Sequence, residues 1–335
     1  MNAPLNTTTK SASPIDNPQS ALVRLLKAAG DELRVEILRA LSTDSFGVLE
    51  LCQVFETKQS GMSHHLKVLA NAGLVCTRRE GNSIFYRRDS LSASGEFSQL
   101  KAELFSSIDA LPLSPEVAER KAGIYKQRAE ASRIFFAEQA GSFKQQQDLI
   151  AGFDVYGPQI DELLATLKLP SQQRALEIGP GEGDFLPYLS KRFNKVIALD
   201  NASTMLQKAQ AYSEQQALNN IQFVLNDTSY CSQQPNSWDF VVINMVLHHT
   251  PSPNQIFADV SQALKPGGAL IVCELCEHDQ DWAKQACGDI WLGFAPADLS
   301  AWAKEHNLYA EQNIYFALRN GFQIQIQQFT KRINT

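Results

Sequence analysis

The chain has 335 residues, 44% of them hydrophobic, and a formal net charge of −6. This length is more than one hydrophobic core usually organises, so at least two domains are expected, and the negative total argues against a protein that coats nucleic acid along its whole length. The six irregularly spaced cysteines indicate no disulfide framework, and no apolar run is typical of a signal peptide or a membrane span, so we expect a cytoplasmic protein with reduced thiols and no membrane partner.

The chain begins with a stretch rich in Ser, Thr, Asn and Pro, which predicts a flexible tail at residues 1–17. Helix signals follow at once. Pro18 suits a first helical position with Asn17 as its cap, and Asp31 can cap a second helix. A short third helix is predicted at 48–55.

The next elements are predicted to be a helix at 58–72 and two strands at 74–80 and 83–88. Gly81-Asn82 is a typical hairpin turn between such strands. Several helices followed by a two-stranded wing predict an α+β winged helix-turn-helix domain at residues 18–92.

The predicted helix at 58–72 has two chemically different sides. Met62, Leu66 and Leu69 share an apolar stripe, whereas small and polar residues occupy the outer side. The second helix of this motif enters the DNA major groove, and arginines around the hairpin can hold phosphates, although an arginine-rich edge that only keeps the hairpin solvated is the alternative. The residues expected to contact DNA are Lys58, Ser60, Gly61, Ser63, His64, Lys67, Arg78, Arg79 and Arg87, with Arg88 beside them.

Three runs, at residues 33–38, 65–75 and 79–87, resemble the ArsR family of dimeric bacterial repressors. The resemblance covers roughly residues 21–88 and implies a homodimer that binds a double-stranded DNA operator. Metal-sensing members carry paired cysteines near the start of the third helix, whereas Cys52 stands alone here, so heavy-metal sensing is not expected at this position. His64 and His65 point about 100° apart on a helix, so they do not pair on a metal either, and the sequence predicts no metal site.

Residues 93–154 alternate charged residues with Ile, Leu and Phe at helical spacing, which predicts a helical connector. Its amphipathic part at 129–143 could be a dimerisation helix, a lid over a bound cofactor or a spacer between domains.

The most informative motif is a Glu-x-Gly-x-Gly-x-Gly run that starts at Glu177, follows an apolar strand and precedes a helix. Gly179, Gly181 and Gly183 allow a tight turn and let a ligand approach the backbone. Asp200 ends the next apolar run, and its carboxylate can accept hydrogen bonds from both ribose hydroxyls of a nucleoside. These residues predict a nucleoside site at the C-terminal edge of a parallel sheet.

The order of motifs continues with a polar strand end at 224–227, a run at 238–249 and a Leu-Lys-Pro-Gly-Gly run at 264–268. Residues 172–274 thus resemble class I S-adenosylmethionine-dependent methyltransferases, rather than a dinucleotide site or an ordinary doubly wound sheet. The resemblance implies a Rossmann-like α/β domain at 155–335, with S-adenosylmethionine or S-adenosylhomocysteine as cofactor. The cofactor contacts expected from these motifs are Glu177, Gly179, Gly181, Gly183, Asp200, Asn201, Met205, Asn226, Asp227, Asn244 and Tyr156. For Tyr156, a core aromatic is an equally open interpretation.

Methyl transfer needs a general base only when the acceptor atom carries a proton. The candidates are His248 and His249 at the end of a predicted strand and Asp281, with Asp279, in a later loop. For the histidines a structural role is the favoured alternative, with one satisfied near a helix start and the other at a pocket rim.

Two functions stay open. One is a transcriptional regulator whose methyltransferase-like domain binds the methyl donor or its product as an effector. The other is an active small-molecule methyltransferase, similar to those of ubiquinone biosynthesis, whose N-terminal domain regulates its own operon and whose methyl acceptor is unknown. A DNA-modifying methylase fits less well, because Asn244 is followed by Met-Val-Leu instead of a Pro-Pro-aromatic run.

Overall fold

The computed structural model describes residues 17–89, 97–139, 141 and 143–332, and it divides into two compact units. One unit contains the described residues up to Arg78 together with Phe85–Ala118. The other contains Arg79–Ile84 and the described residues from Glu119 onwards. Residues 1–16 of the predicted tail and 90–96, where the predicted connector begins, lie outside the described residues.

The N-terminal elements are short helices and a three-stranded sheet with the strand order β1-β3-β2. Both helix caps lie where the sequence predicts them: Asn17 accepts a hydrogen bond from the backbone N of Gln19, and Asp31 accepts one from that of Arg34, each at 3.0 Å. The elements are α1 (Pro18–Ala29), α2 (Glu32–Ala40), β1 (Phe46–Gly47), α3 (Val48–Phe55), α4 (Gln59–Asn71), β2 (Val75–Glu80), β3 (Ser83–Arg88) and α5 (Ser98–Asp109). The elements from α1 to β3 form the predicted winged helix-turn-helix, whereas α5 lies in the predicted connector.

The core of these elements consists of aliphatic side chains from α1 to α4. The predicted stripe of α4, formed by Met62, Leu66 and Leu69, is fully buried. Leu38 of α2 and Leu51 of α3 are buried with it. Complete burial of such a side chain stabilises the fold by about 1.5–3 kcal/mol, so this stripe fixes which side of α4 remains exposed.

The predicted connector is helical over most of its described length. Within residues 93–154 lie α5, α6 (Pro115–Gln139), α7 (Phe143–Ala151) and the first two residues of α8 (Phe153–Thr166). α6 begins in one unit and continues into the other. Among its side chains, Ile124 is buried, whereas Ile134 is 44% exposed. No described helix combines the length and the apolar character that a membrane span requires.

The C-terminal unit is organised around a seven-stranded sheet with the order β6-β5-β4-β7-β8-β10-β9. The strands from β4 to β8 pair in parallel, and β10 is antiparallel to both β8 and β9. The elements are β4 (Arg174–Ile178), α9 (Leu186–Arg192), β5 (Lys195–Asp200), α10 (Ser203–Gln215), β6 (Ile221–Leu225), α11 (Ser229–Ser232), β7 (Trp238–Asn244), a 3-10 turn (Leu247–His249), α12 (Pro253–Ala263), β8 (Leu264–Leu275), α13 (Trp282–Cys287), α14 (Pro296–Glu305), β9 (Leu308–Ala317) and β10 (Gln323–Lys331).

The position of β4 decides where a ligand can bind. The chain proceeds from β4 to β5 and β6 on one side and then returns to place β7 and β8 on the other. This reversal opens a crevice beyond the C-terminal ends of β4 and β7, which is where open α/β sheets bind ligands. The sheet therefore has the predicted Rossmann-like form.

The antiparallel end of the sheet was not predicted. β10 reads Gln-Ile-Gln-Ile-Gln-Gln, which is too polar for a buried strand, yet Gln325 and Gln327 are fully buried. Their amides are satisfied inside the protein: Gln325 Nε2 donates to Phe294 O at 2.7 Å, and Gln327 Nε2 donates to Gln325 Oε1 at 2.7 Å. Buried amides are tolerated when they are hydrogen-bonded in this way.

Candidate cofactor site and DNA-binding surface

The three glycines of the turn after β4 have different physical roles. All have positive φ angles: 66° at Gly179, 57° at Gly181 and 94° at Gly183. A Cβ at Gly179 would lie 2.5 Å from Val246, and one at Gly183 would lie 3.3 Å from the backbone of Ala209 in α10. A Cβ at Gly181 would meet no atom within 4 Å. Thus two glycines allow close packing of the protein on itself, while Gly181 presents open backbone.

Glu177 lies in β4 with only 1% of its surface exposed. Its Oε1 accepts a hydrogen bond from Asn244 Nδ2 at 3.1 Å, which joins the ends of β4 and β7. Glu177 Oε2 and Asn244 Oδ1 are both buried without a hydrogen-bond partner. Burial raises the pKa of Glu177 to about 8. Two buried acceptors that lack a donor fit a cationic ammonium group, such as the amino group of the methionine part of S-adenosylmethionine.

Asp200 ends β5, next to the glycine turn in the sheet order. Its Oδ1 accepts a hydrogen bond from the backbone N of Ala202 at 2.8 Å. Burial raises the pKa of the Asp200 carboxyl to about 6, although hydrogen bonds from the backbone of residues 201 and 202 oppose the shift. Among the other expected contacts, Asn201 is exposed and Met205 is buried on α10.

Asn226 and Asp227 follow β6 and are both exposed. The backbone N of Asn226 donates to Asp200 O at 3.0 Å, so the ends of β5 and β6 are adjacent. Asp227 Oδ1 accepts from the backbone N of Ser229 at 2.9 Å, which forms the turn into α11. These polar groups therefore lie along the same sheet edge as Asp200.

Tyr156 lies within α8 and is 7% exposed. Its ring meets that of Phe153 edge to face, with 5.6 Å between the centroids. Burial raises the pKa of its hydroxyl well above the usual range. These contacts favour the core interpretation of Tyr156 that the sequence left open.

Two ion pairs on the glycine turn were not predicted. Lys144 of α7 pairs with Asp184, and Lys208 of α10 pairs with Glu182 at 2.7 Å. Beside the first pair, an open cleft of about 460 Å³ is lined by Lys144, Asp148, Gly152, Phe153, Asp154 and Val155. The cleft has only a weak signal in the sequence, because its lining residues, except Val155, belong to the predicted connector and not to a recognised motif.

His248 and His249 are 2% and 7% exposed, respectively, so both imidazoles are buried. His248 Nδ1 lies 2.5 Å from Glu274 Oε1, and Glu274 is fully buried. Burial opposes the charged form of His248, but the Glu274 and Asp289 carboxylates outweigh it and raise its pKa to about 9. Burial and the neighbouring His248 hold the pKa of His249 well below its usual value.

These pKa values argue against the catalytic interpretation of His248. A histidine that is protonated at neutral pH cannot accept a proton as a general base. Asp281 and Asp279 are exposed in the loop before α13. Cys273 and Cys276 are buried with pKa values raised by burial, in keeping with a packing role.

The outer side of α4 is exposed as expected. Its exposed residues include Ser60, Gly61, Ser63, His64 and Lys67, with Lys58 at the N-cap. A Cβ at Gly61 would meet no atom within 4 Å, so packing does not explain a glycine in the first turn of this helix. Because glycine has no side chain, this position leaves room for a partner to approach the helix.

The arginines of the wing differ in how far their side chains are exposed. Arg79 is exposed, and Arg87 is half-buried with Nε 3.3 Å from Cys76 Sγ. Arg78 is only 8% exposed, and a phosphate contact at this residue stays a prediction. Arg88 donates from both terminal nitrogens to Asp109 at 2.9 Å and from Nε to Leu38 O at 2.6 Å. Its guanidinium therefore joins β3 to α2 and α5, and a phosphate contact at Arg88 stays a prediction.

Comparison with known families agrees with both parts of the chain. The model of the bacterial regulatory protein arsR family matches residues 31–77, and a methyltransferase domain model matches residues 176–272. The chain therefore contains a region similar to an ArsR-type helix-turn-helix and a region similar to a methyltransferase domain, and the second region has the class I fold. The helix-turn-helix implies DNA binding, and the methyltransferase domain supports S-adenosylmethionine as the cofactor.

Curated relatives match the methyltransferase part. Trans-aconitate 2-methyltransferase of Variovorax paradoxus is 32% identical over 113 residues, which cover 33% of this chain and 42% of the relative. Malonyl-[acyl-carrier protein] O-methyltransferase of a Marinomonas species is 32% identical over 136 residues, which cover 40% and 48%, respectively. The chain spans less than half of the length of either relative.

A solved structure shows the same fold. That structure is a complex between the Haloferax volcanii Trm112 methyltransferase activator and a methyltransferase. One of its chains superposes on this protein with a TM-score of 0.51 at 15% identity. The match covers 61% of this chain and 99% of that one.

Proposed function

We propose that this protein is a transcriptional regulator that binds S-adenosylmethionine or S-adenosylhomocysteine and changes its affinity for a DNA operator in response. The observation that carries the proposal is the buried acceptor pair of Glu177 and Asn244 beside the open backbone of Gly181. The same chain exposes the polar side of α4, which an ArsR-type domain presents to DNA.

In this proposal each polar group at the sheet edge binds a different part of the cofactor. Glu177 and Asn244 accept hydrogen bonds from the ammonium group, and Asp200 accepts them from the ribose hydroxyls. Asn226 and Asp227 face the adenine. Bound S-adenosylmethionine supplies an activated methyl group, whereas S-adenosylhomocysteine lacks one.

The regulator is proposed to act as a homodimer in the cytoplasm. Val23 and Leu26 lie one turn apart on α1 and are 42% and 53% exposed, and Leu100 of α5 is 38% exposed. Exposed apolar side chains on helices of this unit support an association surface there. A dimer would bind two half-sites about one helical turn of DNA apart.

An operator titration tests the proposal. Operator fragments are first selected from the DNA upstream of the protein's own gene by footprinting. Their affinity is then measured with saturating S-adenosylmethionine, with S-adenosylhomocysteine and with neither. We expect one ligand to change the operator affinity by about 5- to 150-fold, the usual range of coupling between two sites.

Asp200→Ala should abolish this shift while the operator affinity without ligand stays the same. Glu311→Ala, which removes a carboxylate from the exposed residue 311 of β9, is the matched control and should leave the shift intact. Three identical titration curves for the unmodified protein would reject the effector role, because a ligand shifts an equilibrium only by its differential affinity for the two states.

A second function is supported by the open cleft between α7 and the start of α8. Its volume of about 460 Å³ suits a small molecule, and Lys144 links it to the glycine turn through Asp184. An active small-molecule methyltransferase would place its acceptor there. Accumulation of S-adenosylhomocysteine from S-adenosylmethionine, in the presence of a small-molecule extract and not without it, would support catalysis.

A further inference from the structure

A buried cluster of two histidines and an aspartate joins the 3-10 turn after β7 to the loop after α13. One nitrogen from each of His248 and His249 and one oxygen of Asp289 lie within 4.8 Å of one another. Asp289 Oδ1 is 3.9 Å from His248 Nε2 and 3.6 Å from His249 Nδ1. The ring centroids of His248 and His249 are 4.0 Å apart, whereas those of His64 and His65 on α4 are 6.0 Å apart. The tight turn thus brings together side chains that a regular helix keeps apart.

Asp289 has no hydrogen-bond partner, although the two imidazoles lie within ion-pair distance of its carboxyl group. It is 5% exposed, and neither of its oxygens has a hydrogen-bond partner. A polar group removed from water without compensation is strongly unfavourable, and buried charges are either paired or bound to a metal ion. The carboxyl group faces the two imidazoles, so a cation between the three side chains would satisfy it.

Glu274 orients the first histidine for such a role. Its Oε1 is 2.5 Å from His248 Nδ1, and its carboxylate also accepts hydrogen bonds from the backbone N of Leu275 and His248. A carboxylate that holds one ring nitrogen of a histidine fixes the tautomer and directs the other nitrogen at a metal. Here the other nitrogen, Nε2, is the one that faces Asp289.

We propose that His248, His249 and Asp289 bind one Zn²⁺ ion. Two imidazole nitrogens and a carboxylate are typical zinc ligands, whereas Mg²⁺ and Ca²⁺ prefer sites built from oxygen alone. Zinc–ligand bonds of about 2.0–2.1 Å in tetrahedral geometry place ligand atoms roughly 3.3 Å apart. To reach that spacing, the two separations from Asp289 Oδ1, 3.6 and 3.9 Å, must contract by about 0.3 and 0.6 Å, while the two imidazole nitrogens now lie within 4.8 Å of each other. The carboxylates of Asp289 and Glu274 balance the two positive charges.

The ion would have a structural role. The backbone N of Ile290 and of Trp291 already donates to His248 O, at 2.9 and 3.1 Å. Zinc bound to the side chains would lock the same contact between the turn after β7 and the loop after α13. This inference does not depend on the proposed function, because the site uses neither the glycine turn nor the DNA-binding surface.

Metal binding is tested on the full chain after treatment with a chelator and removal of the chelator. Zinc chloride is titrated in, and the bound metal is counted by mass spectrometry. We expect one tightly bound Zn²⁺ per chain and a raised melting temperature. Asp289→Asn and His249→Gln should each weaken binding at least about 100-fold, and Glu274→Gln about 10- to 100-fold, as is usual for a residue that orients a metal ligand.

The control is the double variant His64→Gln/His65→Gln, which removes as many histidines from an exposed helix and should bind zinc as the unmodified chain does. X-ray absorption of the zinc-loaded unmodified chain needs no variant, and it should show imidazole and oxygen scattering without sulfur. The proposal is overturned if the unmodified chain binds no zinc, if Asp289→Asn binds it with unchanged affinity, or if sulfur scattering places the ion on cysteines such as Cys287.

Discussion

Glu177 is buried while one of its carboxylate oxygens has no hydrogen-bond donor. Burial raises its pKa to about 8, so the group is mostly neutral at pH 7 before a ligand arrives. A bound ammonium group would favour the carboxylate and lower this pKa. The side chain therefore couples cofactor binding to the loss of a proton.

The affinity for S-adenosylmethionine should rise with pH between about 6 and 8. The bound state holds fewer protons than the free protein, so raising the pH favours binding until it passes the free-protein pKa of about 8. Above that, the α-amino group of the ligand, with a pKa of about 8, loses its own charge. Isothermal titration in two buffers with different ionisation enthalpies should show proton release at pH 7.

Glu177→Gln is the control for this pH dependence. It keeps the shape of the side chain and removes the titrating group, so affinity should fall and proton release should vanish. Equal proton release by the unmodified chain and the variant would assign the proton to another group.

Gly179 and Gly181 should respond differently to replacement by alanine. Gly179→Ala adds a Cβ 2.5 Å from Val246 at a φ of 66°, so we expect a loss of about 2–4 kcal/mol in the free energy of unfolding of the methyltransferase unit. Gly181→Ala meets no atom within 4 Å, so only the backbone strain of about 1–2 kcal/mol remains. Hydrogen exchange of β4 and cofactor titration separate the two effects. Gly181→Ala should stay folded and bind the cofactor more weakly, and equal destabilisation by both variants would contradict this division of roles.

At the level of elements, α4 and the wing should contribute to DNA binding in different ways. Replacing Ser63 or His64 by Ala should change the preferred operator sequence, because their side chains lie on the exposed side of α4. Arg79→Ala should weaken binding to all sequences and reduce the slope of log affinity against log salt by about one. Binding is measured by fluorescence anisotropy across a salt series with a library of operator variants.

Arg133→Ala is the matched control for the wing, since it removes an exposed arginine of α6 and should leave the salt slope unchanged. A changed sequence preference in Arg79→Ala with an unchanged salt slope would contradict a phosphate contact.

Elements whose signals are local were predictable from the sequence. The caps at Asn17 and Asp31, the helix at 48–55 and the turn at 81–82 depend on residues within a few positions of each other, and the structure has them where expected. The glycine turn was also predictable, because positive φ angles favour glycine at each of its three positions.

Features that depend on partners distant in the chain were not predictable. The partner of Arg88, Asp109, lies 21 residues away on α5. From the sequence alone, His248 is a candidate general base. In the structure, Glu274 and Asp289, which are distant in the sequence, lie beside it. The buried amides of Gln325 and Gln327 donate to the carbonyl oxygens of Phe294 and Pro296 in other segments, whereas an alternating Gln-Ile pattern alone indicates a half-exposed strand.

The distribution of charge over the whole chain favours a single mode of DNA binding. Residues 21–92 contain ten basic and eight acidic residues, although the chain as a whole carries −6. The remainder of the chain therefore carries −8, and this negative charge repels the phosphate backbone. Such an asymmetry steers the helix-turn-helix towards DNA and limits nonspecific binding through the methyltransferase domain.

Coupling between cofactor and operator must be reciprocal across the whole molecule. If S-adenosylhomocysteine changes operator affinity by some factor, then saturating operator must change the affinity for S-adenosylhomocysteine by the same factor. This product is the better ligand for the test, because it has no methyl group to transfer during the experiment. Calorimetric titration of S-adenosylhomocysteine into the protein, with and without an operator duplex, should give the factor found in the operator titration. Glu177→Gln should remove the factor from both titrations. The two titrations could also disagree, with S-adenosylhomocysteine changing the operator affinity while the operator leaves the S-adenosylhomocysteine affinity unchanged. That result would show that the response is not a binding equilibrium of one molecule with two ligands.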